Sequence, residues 1–132
     1  MTTLTTETTE IVETATEAAL EALLWTGTAA DGTALDTKHT IDSVGWTERR
    51  RVRIAFEAFI GRCALRGVSR RALDEFGAAE LGRLWVLSSN RHGVGFWSEA
   101  EDDLGDVLTE LACEGGEIEL FEGTDGSLYA LI

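Results

Sequence analysis

The sequence predicts an α+β domain: N-terminal helices followed by a small antiparallel sheet of two hairpins that flank an acidic helix. Three observations carry this expectation. Apolar residues recur at helical spacing from Thr9 to about Leu81. From Arg83 onward, short runs rich in Trp, Val, Leu and Phe alternate with glycine-bearing turns. One helical segment with acids loaded at its start separates those runs.

Taken in order, residues 1–8 are threonine-rich and read as a disordered N-terminus, leaving 9–132 as a single domain. A first helix is expected from Thr9 to Trp25, with Ile11, Ala15, Ala18, Ala19, Ala22 and Leu23 on its apolar face. Glu10, Glu13, Glu17 and Glu21 follow another face at intervals of three and four. Gly27 ends it. The polar stretch Thr26 to Gly45 is longer than compact domains usually carry without a purpose; it holds an Asp31-Gly32 turn signal and the polar groups Asp36, His39 and Asp42. A second helix, Thr47 to Arg66 with Thr47 as N-cap, has the apolar face Val52, Ala55, Phe56, Phe59, Ile60 and Cys63. Arg49, Arg50, Arg51 and Arg53 crowd its N-terminal turns. Each cation there costs on the order of 0.3–1 kcal/mol against the helix dipole. Acids from elsewhere in the fold, or from a partner, should therefore match them.

A third helix is expected from Arg70 to Leu81, capped by Ser69 and weakened at Gly77. Arg83 to Ser89 then reads as a strand. Asn90-Arg91-His92-Gly93 reads as a turn, and Val94 to Trp97 as the returning strand. Ser98 and Glu101 form a capping box for a fourth helix carrying Leu104, Val107, Leu108, Leu111 and Ala112, which Gly115-Gly116 stops. Glu117 to Glu122 alternates as a half-buried strand does. Gly123-Thr124-Asp125-Gly126 turns the chain, and Leu128 to Leu131 pairs back.

Charge is the strongest global signal. The net value is −13 over 132 residues, sorted into blocks. Residues 1–45 hold eight acids and one base, 46–92 five acids and ten arginines, and 93–132 eleven acids and no base. Such a chain repels nucleic acid at long range and attracts basic partners, so the expected partner is a protein with a basic surface. Direct nucleic-acid binding through Trp46 and the arginine block is disfavoured. Nothing resembles a secretory signal or a membrane span, which implies a cytoplasmic protein in its host cell. The two cysteines, Cys63 and Cys113, are expected to be buried free thiols. Nucleotide-loop, nucleophile-elbow and zinc-protease motifs are absent. Asp102, Asp103 and Asp106 lack the spacing of a calcium loop, and neither a metal nor a cofactor is expected.

Several pieces of the chain, in order, resemble a known family. Leu24-Trp25-Thr26 and Leu35-Asp36 are similar to its L-W-x-S and P-L-D elements. Ser88 to Trp97 resembles its R-N-G-H-G-x-G-F-W stretch, with Asn90-Arg91 standing where the family has R-N-G. Gly105-Asp106-x-Leu108-Thr109 resembles its G-D-x-L-T, and Gly123 to Tyr129 its G-D-D-G-x-I-Y. The family is one of small proteins encoded by phages and plasmids. The resemblance implies a mobile-element accessory protein and supplies no activity to carry over.

The leading functional expectation is a non-enzymatic interaction module of phage origin. Its sharper form is an acidic decoy or inhibitor of a host nucleic-acid-binding or defence protein. The partner-binding residues would be Glu10, Glu13, Glu17, Glu21, Glu99, Asp102, Asp103, Asp106 and Glu110. One alternative is a small enzyme at the first hairpin tip, using Asn90 and His92 with carboxylate help from Asp106. Another is a homo-oligomeric structural module joined through exposed Trp25, Trp46 or Trp97.

Overall fold

A computed structural model describes residues 6–29, 31–90, 96 and 103–132. Four helices and one β-hairpin stand among them: α1 (Thr6–Thr26), α2 (Trp46–Leu65), α3 (Ser69–Ser89), α4 (Leu104–Glu114), β1 (Glu119–Glu122) and β2 (Leu128–Leu131). The α+β class therefore holds, with helices first and a two-stranded antiparallel sheet last.

Small side chains decide how the helices meet. On α1, Ala15, Ala19 and Ala22 are buried against α3, where Gly82 lies so close that a Cβ would collide with the Ala15 carbonyl oxygen. Leu20, Leu23 and Leu24 extend the same face. The expected apolar face of α2 is also real: Val52, Phe56, Phe59 and Cys63 are fully buried, with Ala55 and Ile60 packed at the margin. Phe56 meets the edge of Trp85 at 5.3 Å, and Phe59 stacks on Phe96 at 5.8 Å. Such pairs add about 0.5–1.5 kcal/mol to their area burial. Both cysteines are free, but only Cys63 is fully buried. Burial pushes its thiol up to about 11.

The sequence expectation of a strand over Arg83 to Ser89 is overturned: α3 continues through the whole segment. Gly77, at φ +79°, kinks it into two helical stretches instead of weakening a short helix. The cause lies in burial. Leu81, Leu84, Trp85, Val86 and Leu87 are all buried, because α3 is the central helix packed on α1, α2 and α4. An apolar run buried all round has no readable period, so strand and helix look alike. The first hairpin is thereby lost, since Asn90 caps α3 instead of opening a β-turn. Its returning strand and the Ser98-Glu101 capping box lie outside the described residues, except Phe96, which is helical and buried.

Helix boundaries shift slightly. α1 begins at Thr6, α2 at Trp46 with Gly45 as N-cap in place of Thr47, and α3 at Ser69 with Val68 as N-cap. The long Thr26–Gly45 segment is tied down at several points. Thr28 bridges Ala34, two short 3₁₀ turns span Leu35–Thr37 and Ile41–Ser43, and Leu35 is fully buried. His39 Nε2 lies 2.7 Å from Glu122 Oε2, both side chains largely shielded, which ties this segment to β1.

The final hairpin follows its sequence pattern. Leu120 and Ala130 face the core, while Phe121 and Tyr129 stack at 5.6 Å on the outer face. Asp125 fixes the turn by accepting from the Ser127 backbone N–H at 3.0 Å and the Tyr129 hydroxyl at 2.7 Å. Those bonds hold its carboxyl below the usual carboxylate range and raise the Tyr129 phenol. No helix among the described residues is long and apolar enough to cross a membrane.

Candidate functional site

Because α1 turns its alanine and leucine face to α3, its opposite face must meet solvent. Glu10, Glu13, Glu17 and Glu21 occupy that face and are all exposed. Their spacing of three, four and four residues keeps them in one line, about 16.5 Å long at 1.5 Å rise per residue. Trp25, the next residue in that series, continues the line and is 58% exposed. Only Glu17 has an ion-pair partner among the described residues, Arg49 at 4.0 Å. At that separation, between half-open side chains, the pair contributes about 0–1 kcal/mol. Four carboxylates along one helix face, three of them without an ion pair among the described residues, make the most coherent charged feature on the described surface.

Beside this line lies a groove of about 560 Å³ between α1 and the start of α2, lined by Glu13, Glu17, Trp46, Arg49, Arg50 and Arg53. Trp46 is 72% exposed, and the Arg50 guanidinium sits over its ring at 5.4 Å. The arginines were expected to be matched by acids. From elsewhere in the fold only Glu17 of α1 is paired with them among the described residues; the acids at 3.7 Å from Arg51 and 3.4 Å from Arg53, Glu48 and Glu57, lie on α2 itself. The shorter contacts go to backbone carbonyls: Arg49 donates to Ile41 O at 2.9 Å, and Arg51 to Ala130 O at 2.9 Å. Farther along α2, Arg62 donates twice to Leu111 O, at 2.8 and 3.1 Å, capping the last turn of α4.

On α4, Asp103, Asp106 and Glu110 are exposed. Asp103 lies 3.9 Å from Arg71 and Glu110 3.8 Å from Arg66, while Asp106 has no ion pair among the described residues. Glu99 and Asp102, which would extend this acidic face, fall outside the described residues.

Of the catalytic candidates, Asn90 and Asp106 lie among the described residues. Asn90 has its carboxamide fully engaged: Nδ2 donates to Ile118 O at 2.6 Å, and Oδ1 accepts from Ile118 N–H at 2.7 Å. It acts as a clamp between α3 and the strand region. His92 lies outside the described residues, and Asp106 is on the solvent face of α4. Among the described residues, no group of His, Cys, Asp and Glu could hold a metal ion.

Sequence reasoning missed the pairs that close the fold over long separations: His39 with Glu122, Asn90 with Ile118, and Glu48 with the Ala130 N–H at 2.6 Å. Local pattern carries no signal for these. The groove had one, the adjacency of Trp46 to the arginine run. Comparison with known proteins finds no family model, no curated protein and no solved structure that matches this chain.

Proposed function

We propose that this chain is a non-enzymatic interaction module that binds a protein partner with a basic surface through the acidic line of α1. The observation that carries the reading is that Glu10, Glu13 and Glu21 are exposed without an ion pair among the described residues, in register with exposed Trp25. A rigid helix holds these carboxylates in place, so a partner's arginines and lysines meet a fixed array. An exposed tryptophan at the end supplies the apolar anchor that interfaces favour. The ordered motifs described above support an origin on a mobile element, and with it an anti-defence role against a host protein.

Charge density limits the decoy form of the proposal. Four carboxylates over about 16.5 Å give one charge per ~5.5 Å, against one per ~3.4 Å along a strand of duplex DNA. The line is a sparser polyanion than DNA, so it competes for a basic surface only if Trp25 and the neighbouring groove add contacts of their own. The enzymatic alternative is weakened by Asn90, whose polar atoms are both engaged.

The test is affinity capture from a bacterial lysate with wild type and with the triple variant Glu10→Lys, Glu13→Lys, Glu21→Lys, circular dichroism confirming the fold of both. The proposal predicts a protein retained by wild type, released by raised salt, and lost in the variant. A captured DNA-binding protein that this chain displaces from DNA supports the decoy form. Identical capture by both proteins, or none by either, contradicts the proposal.

A further inference from the structure

The two edges of the C-terminal hairpin are finished differently. On β2, Ala130 points both backbone groups away from β1, and α2 covers them: Glu48 accepts the N–H at 2.6 Å and Arg51 donates to the C=O at 2.9 Å. Because Ala130 pairs with Leu120 in the antiparallel register, Leu120 must also point its N–H and C=O outward, to the opposite edge. Ile118, two residues earlier, points the same way, and the Asn90 carboxamide satisfies both of its groups as a neighbouring strand would. For Leu120 no hydrogen-bond partner stands on that side among the described residues.

That edge opens on a groove of about 330 Å³, within the 300–1,000 Å³ range of ligand clefts. Thr26, Gly27 and Thr28 form one wall and the β1 edge the other. The charged residues lining it are Glu117 and Glu119, both acids. An unpaired donor and acceptor on a strand edge are a template for another strand.

We propose that this edge receives an extended basic peptide segment of a partner as a third, antiparallel strand, which exchanges two backbone hydrogen bonds with Leu120. The side chain directly opposite Leu120 is small and apolar, since it faces the floor of the groove. Its neighbours emerge on the outer face, a lysine or arginine beside Glu119 and an apolar group beside the Phe121–Tyr129 stack. This surface is separate from the α1 line and binds its peptide whether or not that line has a partner.

The probe is a hexapeptide, blocked at both ends, whose central valine stands between a phenylalanine and a lysine, beside the same peptide N-methylated at alternate amides. N-methylation removes the donors while keeping charge and side chains, and wild-type protein is used throughout. Amide exchange by NMR reads the Leu120 N–H. Binding of the unmethylated peptide should slow its exchange about tenfold or more at millimolar concentration, and the methylated peptide should bind about tenfold more weakly. Three results overturn the proposal: equal binding of the two peptides, no binding by either, or a Leu120 amide already protected in the free protein.

Discussion

Along α1, Glu10, Glu13 and Glu21 stand in solvent with no ion pair among the described residues, whereas along α2 three arginines each donate to a backbone carbonyl of another segment. Arg49 reaches Ile41, Arg51 reaches Ala130 and Arg62 reaches Leu111. These three arginines join separate parts of an acidic chain. A guanidinium has five donors in a rigid fork and stays charged when half-buried, so it suits carbonyls left over at helix and strand ends. A carboxylate has no donor and cannot serve those carbonyls. Glutamates with no N–H or guanidinium within reach are left facing outward, and the acid excess accumulates on the surface.

The comparison depends on both helices being seated on the same core, and the largest expected effect comes from unseating them. Gly82→Ala drives a methyl into the Ala15 carbonyl. It should destabilise the protein by about 1–3 kcal/mol in urea denaturation, the range for overpacking a tight contact. A smaller loss, about 1 kcal/mol, is expected for Arg51→Ala, which frees a strand-edge carbonyl to water. Faster amide exchange confined to the β2 side of the hairpin would distinguish it from a general loosening.

Asp125 sharpens the contrast from the acidic side, because it is an exposed carboxylate that has found donors. Its acidity is raised in the fold, so its stabilisation is present above the unfolded value near ~3.9 and fades as pH falls through the lower folded value. Tyr129 runs the opposite way: its phenol is raised, so its contribution is intact below ~10 and fades as pH rises through the folded value. The NMR signals of the Asp125 carboxyl and the Tyr129 ring should therefore be constant between those limits and shift outside them. Asp125→Asn should remove the acid-side change, and a change that persists in it contradicts the assignment.

What the sequence disclosed follows the same logic. Faces with one wet and one dry side were legible: the glutamate line on α1, the Val52–Cys63 face of α2 and the alternating β1 all stand where their period placed them. The second half of α3 was not, because burial on every side erases the period that tells helix from strand. Asn90 looked like a site residue because it stood beside His92 at an expected hairpin tip. Its role as a clamp on Ile118 depends on a partner 28 residues away, which no local pattern encodes. Of the acids expected from elsewhere in the fold, Glu17 beside Arg49 is the one that stands there among the described residues, and the carbonyl acceptors were invisible because every residue carries one.

The most direct test sets Arg62→Ala against the triple variant Glu10→Lys, Glu13→Lys, Glu21→Lys in parallel urea denaturation. The Arg62 guanidinium makes a charge-assisted contact to a carbonyl at the end of α4, so its loss should cost about 1.5–3 kcal/mol. The α1 variant should stay within about 0.5 kcal/mol of wild type, as unpaired surface charges do. A collapse of the α1 variant, with Arg62→Ala unaffected, would mean that the acids hold this fold together and the arginines do not.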